Sequence, residues 1–263
     1  MGKVRVLILR TAGTNCDYET RFAFDQVGAR TTLEHINQLI RGNVRLKEFE
    51  ILAIPGGFTY GDDIAAGKIL ANELKYKLEE DIDEFVKDGK LAIGICNGFQ
   101  VLVKAGLLPA LDGTRNQVVT LASNDSNRFE DRWVYLKTNR KSKSVYTKGL
   151  SPLIYLPVAH AEGKFVPKGR GTLRKLKENR QIVFTYVDEE GEPTGYPGNP
   201  NGSVEGIAGI CDPTGRIFGL MPHPERHIHP TQHPRWTREG LEKEGDGLAI
   251  FRNGVRFAAK NLI

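Results

Sequence analysis

Aliphatic runs alternate with helix-period stretches through the first half of the chain. Val4 to Leu9 is aliphatic except at Arg5 and reads as a buried parallel strand. A helical pattern from Asp17 to Val27 follows, closed by Gly28. Thr31 to Ile36 predicts a second strand. Ile51 to Ile54 predicts a third, stopped by Pro55-Gly56-Gly57. A charged helix is expected over about Ala71 to Lys87, with Gly89 as its stop. Leu91 to Ile95 is a fourth buried strand, and a helix from about Gly98 to Ala105 ends at Gly106. This alternation predicts an α/β fold, an open, mostly parallel sheet flanked by helices, with its functional loops at the carboxyl ends of the strands.

The second half changes character. Gln117–Ala122, Trp133–Thr138, Leu153–Val158, Ile182–Val187, Val204–Cys211 and Ile217–Met221 all read as strands between polar turns. They predict an antiparallel β region appended to the parallel sheet. Helical spacing returns from Asp246 to Leu262. No linker rich in Gly, Ser or Pro separates the halves and no segment repeats, so one domain over residues 1–263 is expected.

Composition narrows the class. Of 263 residues, 40% are hydrophobic and 26% charged, which excludes a disordered chain, a collagen-like fibre and a coiled coil. The formal charge of +5 is mild and does not argue for nucleic acid. Two basic tracts carry the excess, Lys137–Lys148 with five cations and Lys164–Arg180 with seven. Both read first as solvated surface and second as a docking face for an acidic partner or a phosphorylated substrate. Three scattered cysteines, Cys16, Cys96 and Cys211, make no disulfide framework and fit a reducing cytoplasm. No window approaches the ~18 apolar residues of a membrane span.

One cysteine stands in a chemically loaded place. The run Ala92-Ile93-Gly94-Ile95-Cys96-Asn97-Gly98 takes a buried strand directly into a helix. Gly94 and Gly98 flank Cys96 in the Gly-x-nucleophile-x-Gly spacing of a nucleophile elbow, where side chains at the two glycines would clash. A helix N-terminus also favours a thiolate. Among six histidines, His223 follows the strand Ile217–Met221, and Glu225 two residues on can accept from its second ring nitrogen across an extended segment. The loop Pro55-Gly56-Gly57-Phe58 should open on the same face. The N–H groups of Gly57 and Asn97 are the candidate oxyanion donors.

These pieces together resemble the class I, triad-type glutamine amidotransferases. That superfamily's landmarks are the Gly94-x-Cys96-x-Gly98-x-Gln100 run, the upstream Gly-Gly loop and the His223-Pro224-Glu225 segment, with the loop first and the histidine last. Five further segments look like the glutaminase-subunit family of phosphoribosylformylglycinamidine synthase: Gly13–Asp17, Pro55–Asp62, Arg128–Val134, Leu156–His160 and Asn199–Ser203. The resemblance spans Val4 to Arg226. Ala161 departs from it, standing where many relatives have Gly, and His227–Gly245 is longer than a minimal member needs.

The resemblance implies a flavodoxin-like sheet and a glutaminase. Its ammonia would feed an ATP- and Mg2+-dependent synthetase subunit that converts formylglycinamide ribonucleotide to its amidine, often through a small bridging subunit. No cofactor is implied for this chain. Gln100 is implied to hold glutamine, and the backbone around Ser126, Arg128 and Phe129 to receive its amino-acid end. A stand-alone cysteine hydrolase and a non-catalytic regulatory module are the competing classes. Two other patterns are set aside. His227-x-His229-x3-His233 lies among prolines and reads as a surface loop rather than a metal site. Gly61–Lys68 lacks the spacing and the Ser or Thr of a phosphate loop.

Overall fold

The computed structural model describes residues 2–263. Strand β1 (Arg5–Arg10), helix α1 (Asp17–Gln26), β2 (Arg30–His35), the short α2 (Ile36–Ile40) and β3 (Ile51–Ile54) open the chain. Then come α3 (Lys68–Lys77), α4 (Glu79–Lys87), β4 (Leu91–Ile95) and α5 (Asn97–Lys104). The expected single helix over about Ala71–Lys87 is two. Leu78 breaks it at φ −128°, ψ 23°, burying its side chain, and α4 restarts with Glu79, Glu80 and Asp81 at the end where acids favour the helix dipole.

The second half supplies β5 (Val119–Ala122), β6 (Glu130–Thr138), β7 (Leu153–His160), β8 (Lys164–Pro167), α6 (Arg170–Glu178), β9 (Ile182–Val187), β10 (Ile207–Cys211) and β11 (Ile217–Leu220). The short α7 (Trp236–Glu239) and the terminal α8 (Leu248–Asn261) close the chain. The basic tract from Lys164 to Arg180 is solvated as expected, with Lys168, Arg170, Arg174, Lys175, Lys177 and Arg180 exposed, but it is also folded. It forms β8 and α6, and Leu176 on α6 is fully buried.

Nine strands make one sheet in the order β2-β1-β3-β4-β11-β10-β9-β6-β7, and β5 pairs with β8 in a separate two-stranded sheet. β2, β1, β3, β4 and β11 are mutually parallel. The antiparallel region continues this sheet through β10, β9, β6 and β7. Alternation makes β9 and β7 point with the parallel strands, and only β10 and β6 oppose them. The carboxyl ends of β1, β3, β4, β11 and β7 therefore share one edge, the edge where open α/β sheets bind ligands.

β1, β3 and β4 are buried on both faces, as parallel strands between helices must be, which is why they read as aliphatic runs. The buried apolar residues form one cluster running from Val4 to Ala258, with both halves of the chain contributing. α8 joins the ends of the chain. Phe251 meets Phe24 of α1 edge to face at 5.0 Å, each side chain fully buried and contributing about 1.5–3 kcal/mol. No helix among the described residues is long and apolar enough to cross a membrane.

Candidate active site

β4 enters the site fully buried and α5 starts at the next residue but one, so Cys96 is the corner. Its backbone sits at φ 51°, ψ −106°, a conformation non-glycine residues rarely adopt. The flanking glycines have the steric reason the spacing predicts. A Cβ on Gly94 would lie 2.5 Å from the Gly98 carbonyl oxygen, and a Cβ on Gly98 would overlap the Ile54 carbonyl. The Cys96 N–H donates to Leu220 O at 2.8 Å, tying the corner to β11, and its thiol lies 3.6 Å from Ala159 O at the end of β7.

β11 delivers His223 to the same edge, and the His223 N–H donates to Pro157 O of β7 at 2.8 Å. The extended path expected between His223 and Glu225 is not what the chain takes. Pro224 opens a single helical turn, Pro224–Arg226, because its fixed φ suits a first helical position. The turn still brings Glu225 back onto the ring, with Oε1 2.6 Å from His223 Nδ1. Both side chains are buried, and His223 Nε2 has no hydrogen-bond partner. Burial works against the imidazolium. The charges of Glu225 and then Cys96 overcome it and hold His223 well above its ordinary value.

The loop after β3 closes the other side. Gly57 takes φ 142°, and a Cβ there would lie 2.7 Å from Asn15 N, so only glycine lets this loop lie against the loop after β1. Phe58 N–H donates to Gly13 O at 2.9 Å across that contact. Asn97 is buried and links the pieces. Its Oδ1 accepts from the Thr59 hydroxyl at 2.7 Å, and its Nδ2 donates to Asp62 Oδ1 and Gln100 Oε1, each at 3.0 Å. Gln100 in turn donates to Glu162 O at 2.5 Å. Both ends of the Gln100 amide are thus engaged within the protein, between α5 and the loop after β7.

Ser126, Arg128 and Phe129 lie on a turn held by Asn124, whose Nδ2 donates to Arg128 O at 2.9 Å and His160 O at 2.8 Å. Ser126 donates its hydroxyl to Glu130 at 2.6 Å, and Glu130 also pairs with Arg132. Phe129 is exposed and stacks on Phe58 with centroids 6.3 Å apart. The loop after β3 and the Ser126–Phe129 turn therefore meet through this aromatic contact. A cleft of about 600 Å³ beside this turn is lined by Ser126, Arg128, Tyr196 and Asn199, whereas Cys96 itself is 5% exposed.

Several contributors lie inside the resembling segments without a role assigned to them from the sequence. Thr59 and Asp62 fall inside the glycine-rich loop, and only the fold shows that they hold Asn97. His160 is buried between Asn124 Oδ1 at 3.2 Å and Asn201 Nδ2 at 3.5 Å. Burial, aided by the charge on His223, lowers its pKa to about 3 and keeps it neutral. Cys16 sits at the end of the loop after β1, 3.2 Å from Arg226 Nη2, and burial pushes its thiol up to about 11. The His227–His233 tract is not a surface loop throughout. His227 is buried with Nδ1 2.8 Å from Tyr155 O, and it packs on Trp133 with His233, while His229 turns away to Phe22. The three rings do not converge on one point.

The model of the CobB/CobQ-like glutamine amidotransferase domain matches residues 3–258. The PurQ subunit of phosphoribosylformylglycinamidine synthase from Dehalococcoides mccartyi is 52% identical, over 98% of this chain and 99% of the relative. The chain belongs to the PurQ family of glutamine amidotransferases. A PurQ subunit from Methanococcus maripaludis is 46% identical to this amidotransferase over 97% of its chain and 98% of the relative. Among solved structures, a chain of PurLQS from Thermotoga maritima superposes with a TM-score of 0.74 at 29% identity. The match covers 97% of the amidotransferase and 99% of that chain. A second Thermotoga maritima structure, a glutamine amidotransferase 18% identical with a TM-score of 0.53, shares the fold over 90% of this chain and 81% of its own.

Proposed function

We propose that this chain is a single-domain glutaminase subunit that hydrolyses glutamine through a Cys96 thioester and passes ammonia to an ATP-dependent synthetase partner. That partner converts formylglycinamide ribonucleotide to formylglycinamidine ribonucleotide, using ATP and Mg2+, and a small bridging subunit joins the assembly. The observation that carries the reading is the buried His223–Glu225 pair, 2.6 Å apart, set with its free Nε2 beside a cysteine at a nucleophile elbow.

The chemistry follows from that arrangement. His223, kept cationic by Glu225, pairs with the Cys96 thiolate, which attacks the side-chain amide carbon of glutamine. The N–H groups of Gly57 and Asn97 hold the tetrahedral oxyanion, Asn97 being at the first turn of α5, where helix donors are unused. His223 gives its proton to the leaving ammonia and then takes one from water, which cleaves the thioester to glutamate. Gln100, through Glu162, and the Ser126–Phe129 turn border the pocket for the amino-acid end of glutamine. The small exposure of Cys96 favours a site completed by docking of the synthetase over Phe58 and Phe129.

The test is glutamate release from glutamine by the purified chain, alone and with the synthetase, its ribonucleotide substrate and ATP. Release that rises strongly with the partner and vanishes in Cys96→Ser, while ammonia-driven synthesis persists, supports the reading. Undiminished release from Cys96→Ser, or no release from the complete mixture, overturns it.

A further inference from the structure

The two basic tracts, for which the glutaminase chemistry has no use, meet in the fold. The first runs off the end of β6, and the second leads through α6 into β9. Asn139 joins them. Its N–H donates to Val183 O at 2.9 Å and its side-chain amide to Ile182 O at 2.7 Å. Its Oδ1 accepts from the Lys141 N–H at 3.1 Å, and the Lys143 N–H donates to Arg180 O at 3.2 Å. The turn after β6 is thus pinned to the entry of β9.

A cleft of about 600 Å³ lies between the two tracts. Lys137, Arg140 and Lys141 border it from the first tract, Lys177 and Arg180 from the second, and no carboxylate lines it. Pro152, Ile182 and the methyl of Thr185 give it an apolar floor. Two of the cations are already engaged. Lys137 donates to Gly191 O at 2.9 Å, and Lys177 pairs with Glu205 at 2.7 Å. Arg140, Lys141 and Arg180 are exposed and enter no ion pair among the described residues.

Helix physics accounts for part of this charge. Lys177 in the last turn of α6 and Arg180 just beyond it stand at the negative end of the helix dipole. Arg140 and Lys141 have no such reason. Their turn carries them toward like charges, which costs stability unless an anion neutralises the cluster. The place in the sheet matters as well. β6 opposes the parallel strands and β9 follows them, so the end of β6 and the start of β9 lie at the sheet edge away from Cys96. A ligand there leaves the glutamine path open.

We propose that this cleft binds a nucleoside polyphosphate, with its phosphates on Arg140, Lys141 and Arg180 and its base on Pro152 and Ile182. Arginine presents a planar fork that fits phosphate oxygens, and clefts of roughly 300–1,000 Å³ take ligands of this size. An acidic protein segment would spread its carboxylates along a chain, whereas these cations crowd one cleft. The proposal does not rest on the glutaminase reading.

Calorimetric titration of ATP into the full-length chain at low ionic strength tests it. One ATP per chain with a Kd below about 1 mM is expected, weakening as salt is added. Arg140→Gln combined with Lys141→Gln should weaken ATP binding at least ~10-fold. Arg180→Asn, which suits the left-handed backbone there (φ 59°), should do the same on its own. Lys47→Gln combined with Lys87→Gln removes the same charge from exposed positions elsewhere and should leave the affinity within about two-fold. Pyrophosphate, which has no base to bury, should bind at least ~10-fold more weakly than ATP. No ATP binding at about 1 mM overturns the proposal, as do equal losses in the two double variants. Pyrophosphate binding as tight as that of ATP also overturns it. So does tighter binding of hexaglutamate through the same cations, which would assign the cleft to an acidic protein segment. None of these readings depends on glutamine hydrolysis.

Discussion

Asn97 and Thr59 are joined twice: Asn97 Oδ1 accepts from the Thr59 hydroxyl at 2.7 Å and from its N–H at 3.3 Å. This joint fixes the residue after Cys96 to the loop after β3, so the two proposed oxyanion donors, Asn97 N–H and Gly57 N–H, are set relative to each other by a buried side chain. Thr59→Val keeps the shape and removes the hydroxyl. The expected loss is about 10- to 100-fold in kcat for glutamine hydrolysis, with KM changed much less, because a misplaced donor harms the transition state before it harms binding. Steady-state kinetics with the synthetase present check this. An equal rise in KM with kcat intact would locate Thr59 in substrate binding instead.

Glu225→Gln tests the charge behind the imidazole. The amide can still accept from Nδ1, so geometry survives, but the carboxylate that holds His223 well above its ordinary value is gone. The His223 titration, followed by NMR of its ring protons, should move down. Hydrolysis should fall by roughly a thousand-fold, as expected when a triad loses the group that fixes tautomer and charge. A His223 titration that stays where it was would remove Glu225 from that role.

The glycines of the elbow and of α6 give opposite expectations for one and the same substitution. Gly98→Ala drives a methyl into the Ile54 carbonyl of β3 and should cost more than ~3 kcal/mol, or prevent folding. Gly171→Ala lies in the first turn of α6 with nothing within 4 Å of its new Cβ and should stabilise by about 0.5–1 kcal/mol. Urea unfolding of the two variants against the parent reads both signs. A neutral Gly98→Ala would mean that the corner relaxes where the structure has it closed.

These contrasts mark what the sequence carries and what it does not. β3, β4 and β9 are bounded in the structure as predicted: β3 and β4, buried on both faces, leave a continuous aliphatic signature, and β9 a run of branched and aromatic residues interrupted only by Thr185. The elbow glycines are equally local. α6 leaves no such signature, because Leu173 and Leu176 are its only large apolar residues in a strongly cationic stretch. The break at Leu78 hides because helix periodicity runs through it. The position of Cys16 after β1 already puts it on the site's side of the sheet, whereas the reach of Thr59 and His160 into the site is a matter of five strand ends meeting at one sheet edge. No spacing along the chain encodes that meeting.

His160 and His223 should shape stability from opposite sides of the ordinary imidazole pKa of about 6.5. The folded pKa of His160 lies at about 3, lowered by burial and by the charge on His223. Between about pH 6.5 and 3 the unfolded chain binds the proton that the folded chain refuses, so the His160 contribution is intact above pH 6.5 and is lost as pH falls. His223 is raised by Glu225, so its contribution is present below pH 6.5 and is lost as pH rises through its folded value. The two slopes meet near pH 6.5. His160→Gln should flatten the acid side, sparing roughly 2–3 kcal/mol of the loss between pH 6.5 and 4.5. Urea unfolding across that range, compared with the parent, measures it, and parallel acid slopes in the two proteins would show that His160 is protonated in the folded state.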